Sequence, residues 1–344
     1  IDGDGMFAVP GFIDTHVHIE TTLLTPEALA EAITPWGTTS LFIDAMEIAN
    51  VAGKDGLSAL IKNSDQLPFR IYLEIPSRVP TAPGLETTGG TIGVIAPSSP
   101  APRQTTALGL QYLQNLGYKV KSASNLNRGK FFLAGSDAER LKYLEQFLCD
   151  PEIDALFCVR GGYGLIRIID QLDYQRLAKI KPKVLVGYSD ITILQMALAA
   201  KLGWVTYSGP MVSTDLGQSL SSFSAECLWR MITSNPYPIE LTNPLAQPLQ
   251  AFQPGSAEGV LIGGCLSLIT PLLGTTFMPD LKGAILIIED VDEKTYRLDK
   301  QLQILRLHGV FDQIAGLIVG QFVNCFPSNP KRSFTLEDYL SNAL

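Results

Sequence analysis

"KVLVGYSDITILQMALAAKLG", residues 183–203, compresses a strand, a tight turn and a helix into one run. Val184, Leu185 and Val186 read as a short buried strand, and the chain from Ile191 reads as a helix that Gly203 closes. A strand that feeds straight into a helix specifies a parallel sheet, because parallel neighbours need a crossover and a helix is the usual one. The same rhythm extends outward in both directions. "TIGVIAP" (91–97) is a strand, a helix runs from about Arg103 to Leu116, and "YKVKSA" is a strand. "SDAERLKYLEQFL" is a helix opened by a capping box of Ser136 and Glu139; "IDALFCV" and "WVTYS" (204–208) are strands. The fold class is therefore α/β with a mostly parallel sheet.

A second, smaller α/β unit follows, with "GVLIGG", "GAILIIED", a helix near 295–308 and "AGLIVGQF". Between the two, residues 212–256 are rich in Ser, Pro, Asn and Gln around one helix and read as a crossover. Ahead of both, strand signals in "GFIDTHV", "TTSLFIDA" and "RIYLEI" surround "TPEALAEAI", a helix with Thr25 as N-cap and Pro26 in its first turn. The Pro- and Gly-rich "PSRVPTAPGLETTGG" (76–90) reads as a linker. The expected division is 1–88, 89–211, 212–256 and 257–344.

The chain has 344 residues, 46% hydrophobic and 17% charged, with a formal net charge of −8. That acidity argues against nucleic acid or an anionic membrane as partner. No apolar run approaches the ~20 residues that cross a bilayer. The five cysteines fall singly, with no CxxC pair, which points to a reducing, cytoplasmic setting. The opening "IDGDGMFAVPGF" has no initiator Met and no signal-peptide pattern, so the chain is expected to begin within a longer reading frame.

Ser189 sits where the strand turns into the helix. A Ser there can be a helix N-cap, the commonest role, or a nucleophile whose following N–H helps hold an oxyanion. The second Gly of G-x-S-x-G is replaced by Ile191. "CVRGGYG" (158–164) ends another strand in glycines, which let backbone N–H groups approach a ligand. Glu289 and Asp290 end the strand "AILIIED", where a carboxylate can orient an imidazole. In "GFIDTHVHIE" (11–20), His16 and His18 are two apart on a strand, share a face, and would supply half of a divalent metal site.

From about Thr91 onward, "TIGVIAPSSP", "RGGYG", "GYSDIT" and "IIEDVDEKTYRLD" resemble, in order and spacing, the LD-carboxypeptidases, a family of serine peptidases that includes muramoyl-tetrapeptide carboxypeptidases and microcin-immunity peptidases. The resemblance implies a flavodoxin- or Rossmann-like sheet domain followed by a smaller α/β domain. It implies Ser189 as nucleophile and Glu289 as the triad acid. The oxyanion hole would be the N–H of Asp190 and that of Gly161 or Gly162, with Tyr163 and Arg160 lining the substrate. The implied reaction is release of terminal D-Ala from a cell-wall muropeptide, with no cofactor and often as a homodimer. Cys265 in "IGGCL" stands where many relatives have Asn. The family's catalytic His lies on a Gly-His turn beyond the strand that "AGLIVGQF" resembles, and the chain is expected to be truncated at Leu344 before it. His308 reads as a surface residue at a helix end. Nucleophile and acid are thus expected without a base, and the chain as given is expected to be inactive.

Residues 5–88 resemble the adenine deaminases of the amidohydrolase superfamily, in "VPGFIDTHVHIE", "IDAMEIANVAGKDG" and "YLEIPSRVPTAPGLET". This implies the start of a (β/α)₈ barrel with His16 and His18 on a catalytic divalent metal. Such a barrel takes ~250 residues. The family's PHEIANV-type stretch also has Ala45 and Met46 in place of Pro and His. The region reads as a partial barrel with a vestigial half-site. The alternative functions are accordingly a metal-dependent adenine deaminase and a non-catalytic remnant that binds muropeptide.

Overall fold

The computed structural model describes residues 12–17, 22, 24–36, 38–45, 48, 56, 58–62, 67–68, 70–74, 90–233, 250–327 and 334–344. The chain divides into two compact units. One comprises Ile1–Gly90, Leu113–Lys119 and Trp229–Glu240; the other comprises Thr91–Tyr112, Val120–Leu228 and Leu241–Leu344.

In the first unit, β1 (Phe12–Val17), β2 (Thr38–Asp44) and β3 (Arg70–Glu74) form a parallel sheet in that order. The helix Pro26–Ile33 starts as its sequence dictates: the Thr25 hydroxyl accepts the Ala28 N–H, and Pro26 opens the first turn. Leu29, Ala30, Leu41, Ile43, Ala45 and Leu60 make a small core. His18 and nearly all of the linker at 76–90 lie outside the described residues, and of His16 only the strand position is described.

The second unit holds two sheets. In the first, β4 (Thr91–Ile95), β5 (Lys119–Ser122), β6 (Ala155–Cys158) and β7 (Val184–Val186) are ordered β5-β4-β6-β7, with β4–β6 and β6–β7 parallel. The chain crosses to one side of β4 for β5 and to the other for β6. Such a reversal opens a crevice beyond the carboxyl ends of the two central strands. The helix Asp137–Cys149 carries both halves of the expected capping box, Ser136 and Glu139. The helix Ile191–Leu202 ends at Gly203 in the left-handed conformation, with φ 65°.

One expected strand is largely absent. "WVTYS" contributes a single parallel bridge, Val186 to Tyr207. Only Tyr207 comes into register, through its N–H to Leu185 O (2.8 Å) and its carbonyl to Gly187 N–H (3.1 Å), while Val205 points into solvent. The 212–216 stretch is a π-helical turn, and Ser222–Thr233 is the helix expected within the crossover.

The other sheet, β8 (Leu261–Cys265), β9 (Ile285–Val291) and β10 (Gly316–Val323), is parallel in the order β10-β9-β8. Leu286 and Ile288 of β9 pack on Leu298, Leu302 and Leu305 of the helix Thr295–Leu307 and on Leu340 of the helix Leu336–Ala343. The α/β class with parallel sheets is borne out.

Candidate active site

At the carboxyl end of β7 the chain turns within three residues. Ser189 has φ 60°, a conformation a non-glycine residue rarely adopts, and the helix begins behind it at Ile191. The N-cap position belongs to Asp190, and no side chain caps the helix. Ser189 is therefore not an N-cap. Its strained backbone is that of a residue held out on an elbow.

The elbow is pinned from several sides. Gln195 Nε2 donates to the carbonyls of Gly187 (2.9 Å) and Tyr207 (3.0 Å). The Asp190 carboxylate, fully buried, accepts the Leu165 N–H at 3.0 Å and so ties the elbow to the chain just beyond "RGGYG". Burial raises the Asp190 carboxyl above its ordinary range, against the pull of the Ser98 hydroxyl and the Leu165 N–H.

The crevice between β4 and β6 is filled from both strand ends. After β4, Ser99 N–H donates to Gly161 O (3.2 Å), and its hydroxyl accepts the Tyr163 N–H (3.2 Å). Gly162 sits over that hydroxyl with φ 103°, and a Cβ there would lie 2.2 Å from Ser99 Oγ. A Cβ on Gly161 would lie 2.8 Å from Ser189 Cβ and 3.3 Å from Asp190 N. The glycine turn and the elbow are thus in direct contact. Among the described residues no acceptor takes the N–H groups of Gly161, Gly162 or Asp190. A set of unpaired donors beside an outward-facing hydroxyl is suited to a developing oxyanion.

Arg160 precedes the turn. Its Nη1 reaches the Pro100 carbonyl only at 3.5 Å, and its buried Nε has no partner among the described residues. Beneath the turn lies Arg140, fully buried. It donates to the Pro97 carbonyl and to Asp137, whose carboxylate also takes Arg167. The two guanidiniums hold Asp137 down at about 2, Arg167 contributing most. Sequence reasoning missed Arg140: flanked by Asp137, Glu139 and Lys142, it reads as part of a solvated helix face.

β9 separates its two carboxylates by alternation. Asp290 points into the core, accepting the Ser267 N–H (2.8 Å) and approached by Cys265 Sγ (3.3 Å), and so serves the local structure. Glu289 faces the other way and is only half-buried. Burial raises it to about 7, with the Asp290 charge adding to the effect. Cys265 is the β8 partner of Glu289, and its N–H donates to Thr192 Oγ1 (3.3 Å) in the first turn behind Ser189. That contact brings the β9 carboxylate to the same side as the elbow. Burial raises the Tyr188 hydroxyl most, Asp215 adds to this, and the charge of Glu289 contributes least.

Among the described residues no imidazole stands beside them. Among the described residues the Ser189 hydroxyl has no hydrogen-bond partner. His308 is exposed at the far end of the helix Thr295–Leu307, which carries the chain from the carboxyl end of β9 back to the amino end of β10. Thirteen helical residues put it ~20 Å from the site's edge of the sheet. No cluster of three or more metal-ligating side chains occurs among the described residues.

The family model of the LD-carboxypeptidase N-terminal domain matches residues 92–209, and that of the C-terminal domain matches 258–344. The amidohydrolase family model matches residues 7–147. A probable murein peptide carboxypeptidase of Bacillus subtilis is 40% identical over 258 residues, covering 74% of this chain and 79% of that protein. The crystal structure of muramoyltetrapeptide carboxypeptidase from Oxalobacter formigenes superposes with a TM-score of 0.65 at 30% identity, over 73% of this chain and 83% of that one. An adenine deaminase of Desulforamulus reducens is 70% identical over 93 residues, which is 27% of this chain and only 16% of the deaminase.

Proposed function

The chain belongs to the LD-carboxypeptidase family, and from that premise we propose that it acts on a muropeptide, at the bond before a terminal D-Ala. Ser189 is the nucleophile. The N–H of Asp190 and that of Gly161 or Gly162 receive the oxyanion, Glu289 is the acid that would orient an imidazole, and Arg160 and Tyr163 meet the substrate. The observation that carries this reading is the Ser189 elbow, left-handed and in contact with the unpaired donors of the glycine turn. The peptide chemistry takes no metal or other cofactor in this reading. A homodimer and a cytoplasmic setting belong to it as well.

A hydroxyl without a base is a poor nucleophile at neutral pH. In serine-protease triads, losing the base costs on the order of 10⁶ in kcat while oxyanion hole and binding survive. The chain is accordingly expected to keep weak binding of the peptide and to release D-Ala near background. That leaves the non-catalytic binder as the nearest alternative. Residues 1–88 we read as a partial barrel, with His16 and His18 a vestigial half-site.

Calorimetric titration tests the substrate class. A tetrapeptide ending in D-Ala with a free carboxylate should bind more tightly than its L-Ala epimer or its C-terminal amide. Equal affinity for all three would exclude an LD-carboxypeptidase site.

A further inference from the structure

Beyond the reacting groups, one loop carries two costs that nothing in its own packing offsets. Lys130 and Leu133 close a two-residue turn through both backbone hydrogen bonds (2.8 and 3.1 Å), with Phe131 and Phe132 at the tip. Phe131 has φ 59° and Phe132 does not share the positive sign. That is the type II′ pattern, whose first central position is normally glycine. A bulky residue there is strained. Phe131 is also 89% exposed and Phe132 60%. A strained, solvated aromatic persists where it serves something outside the fold.

The tip is fastened to the candidate site. The Ala134 N–H donates to Ser98 O (2.9 Å), and Leu133 lies against Gly164. Phe132 stands edge-on to Tyr163 of the glycine turn, ring centroids 5.5 Å apart. Arg128 and Lys130 flank the tip, and their charges reach Glu139. In a protein of net charge −8, this lip is a local combination of cations and open ring faces.

We propose that Phe131, Phe132 and Tyr163 form a stacking subsite for the sugar ring at the amino end of the peptide. The inference rests on the muropeptide reading above. A pyranose offers a flat C–H face that aromatic rings cover, and an acidic peptide linked to it would be drawn by Arg128 and Lys130. The subsite sets preference for sugar-bearing over free peptides and takes no part in bond cleavage.

The test compares the Kd of a muramoyl tetrapeptide with that of the sugar-free tetrapeptide, on the whole chain and on Phe131→Gly. Glycine suits the turn, so the variant should fold at least as well. The whole chain should bind the sugar-bearing peptide about tenfold more tightly, the scale of one aromatic stacking contact. Phe131→Gly should lose that preference and leave the sugar-free Kd unchanged; Phe131→Trp should keep it. Equal binding of both peptides by the whole chain overturns the subsite but leaves the parent reading standing. Weaker binding of both peptides by Phe131→Gly means that the ring contacts the peptide, and the sugar assignment fails. Binding of neither peptide overturns the parent reading and the subsite together.

Discussion

Gly161→Ala isolates the contact on which the proposed chemistry depends. Gly161 does not adopt a left-handed φ, so alanine carries no backbone penalty there. Its Cβ would stand 2.8 Å from Ser189 Cβ and 2.9 Å from Ser189 Oγ. Non-bonded carbons rest at ~3.5–4.0 Å, so the turn or the elbow must yield by about 1 Å. The elbow is pinned by Gln195 and Asp190, so the strain falls on the groups that face the substrate. Overpacking of this kind costs ~1–3 kcal/mol in stability, and a ~1 Å misplacement of reacting groups costs on the order of 10²-fold in rate. The assay is D-Ala release from a muramoyl tetrapeptide with free imidazole added as a surrogate base. Thermal unfolding is followed alongside, and Gly255→Ala, whose Cβ would meet nothing within 4 Å, is the control. A loss of about two decades in rate with folding retained is expected. Undiminished release by Gly161→Ala would refute the idea that this turn and Ser189 form one site.

Three further outcomes follow from the same geometry. Burial holds Glu289 at about 7 against an ordinary 4.5, so as pH rises between those values the unfolded chain ionises first and stability falls. Glu289→Gln should remove this pH dependence, gaining about 2 kcal/mol on wild type between pH 5 and 8 after allowance for solvent screening; parallel melting curves would contradict it. Arg160→Ala should weaken binding of the D-Ala-terminated peptide by about 1–3 kcal/mol, a charged hydrogen bond, and an unchanged Kd would remove Arg160 from the site. Adding Zn²⁺ or Mn²⁺ should yield no ammonia from adenine, and replacing His16 and His18 should leave peptide binding intact; metal-dependent deamination would overturn the vestigial reading.

What could be read from the sequence was what local pattern encodes. The strand before Ser189, the capping box at Ser136 and Glu139, and the closing Gly203 each depend on a few neighbouring residues, and each has its structural counterpart. The glycines of "RGGYG" read locally as a place of close approach; that they meet Ser189 came only from the family resemblance, and the seat of Gly162 over Ser99 was not legible, since such pairings are set by strand order. Burial of Arg140 was illegible for a related reason: its partner, the Pro97 carbonyl, lies 43 residues away. "WVTYS" has the composition of a strand, yet only Tyr207 meets a neighbour in register. Alternation along β9 was legible in principle, and it is what directs Asp290 inward and Glu289 outward.

The central claim is that Ser189 attacks the bond before D-Ala. Its most direct test is imidazole-supported D-Ala release by wild type and by Ser189→Ala, with peptide binding measured on the same samples. The account predicts near-background release by wild type alone, a rise with imidazole, and loss of that rise in Ser189→Ala while the peptide still binds. Equal release by wild type and Ser189→Ala would contradict it.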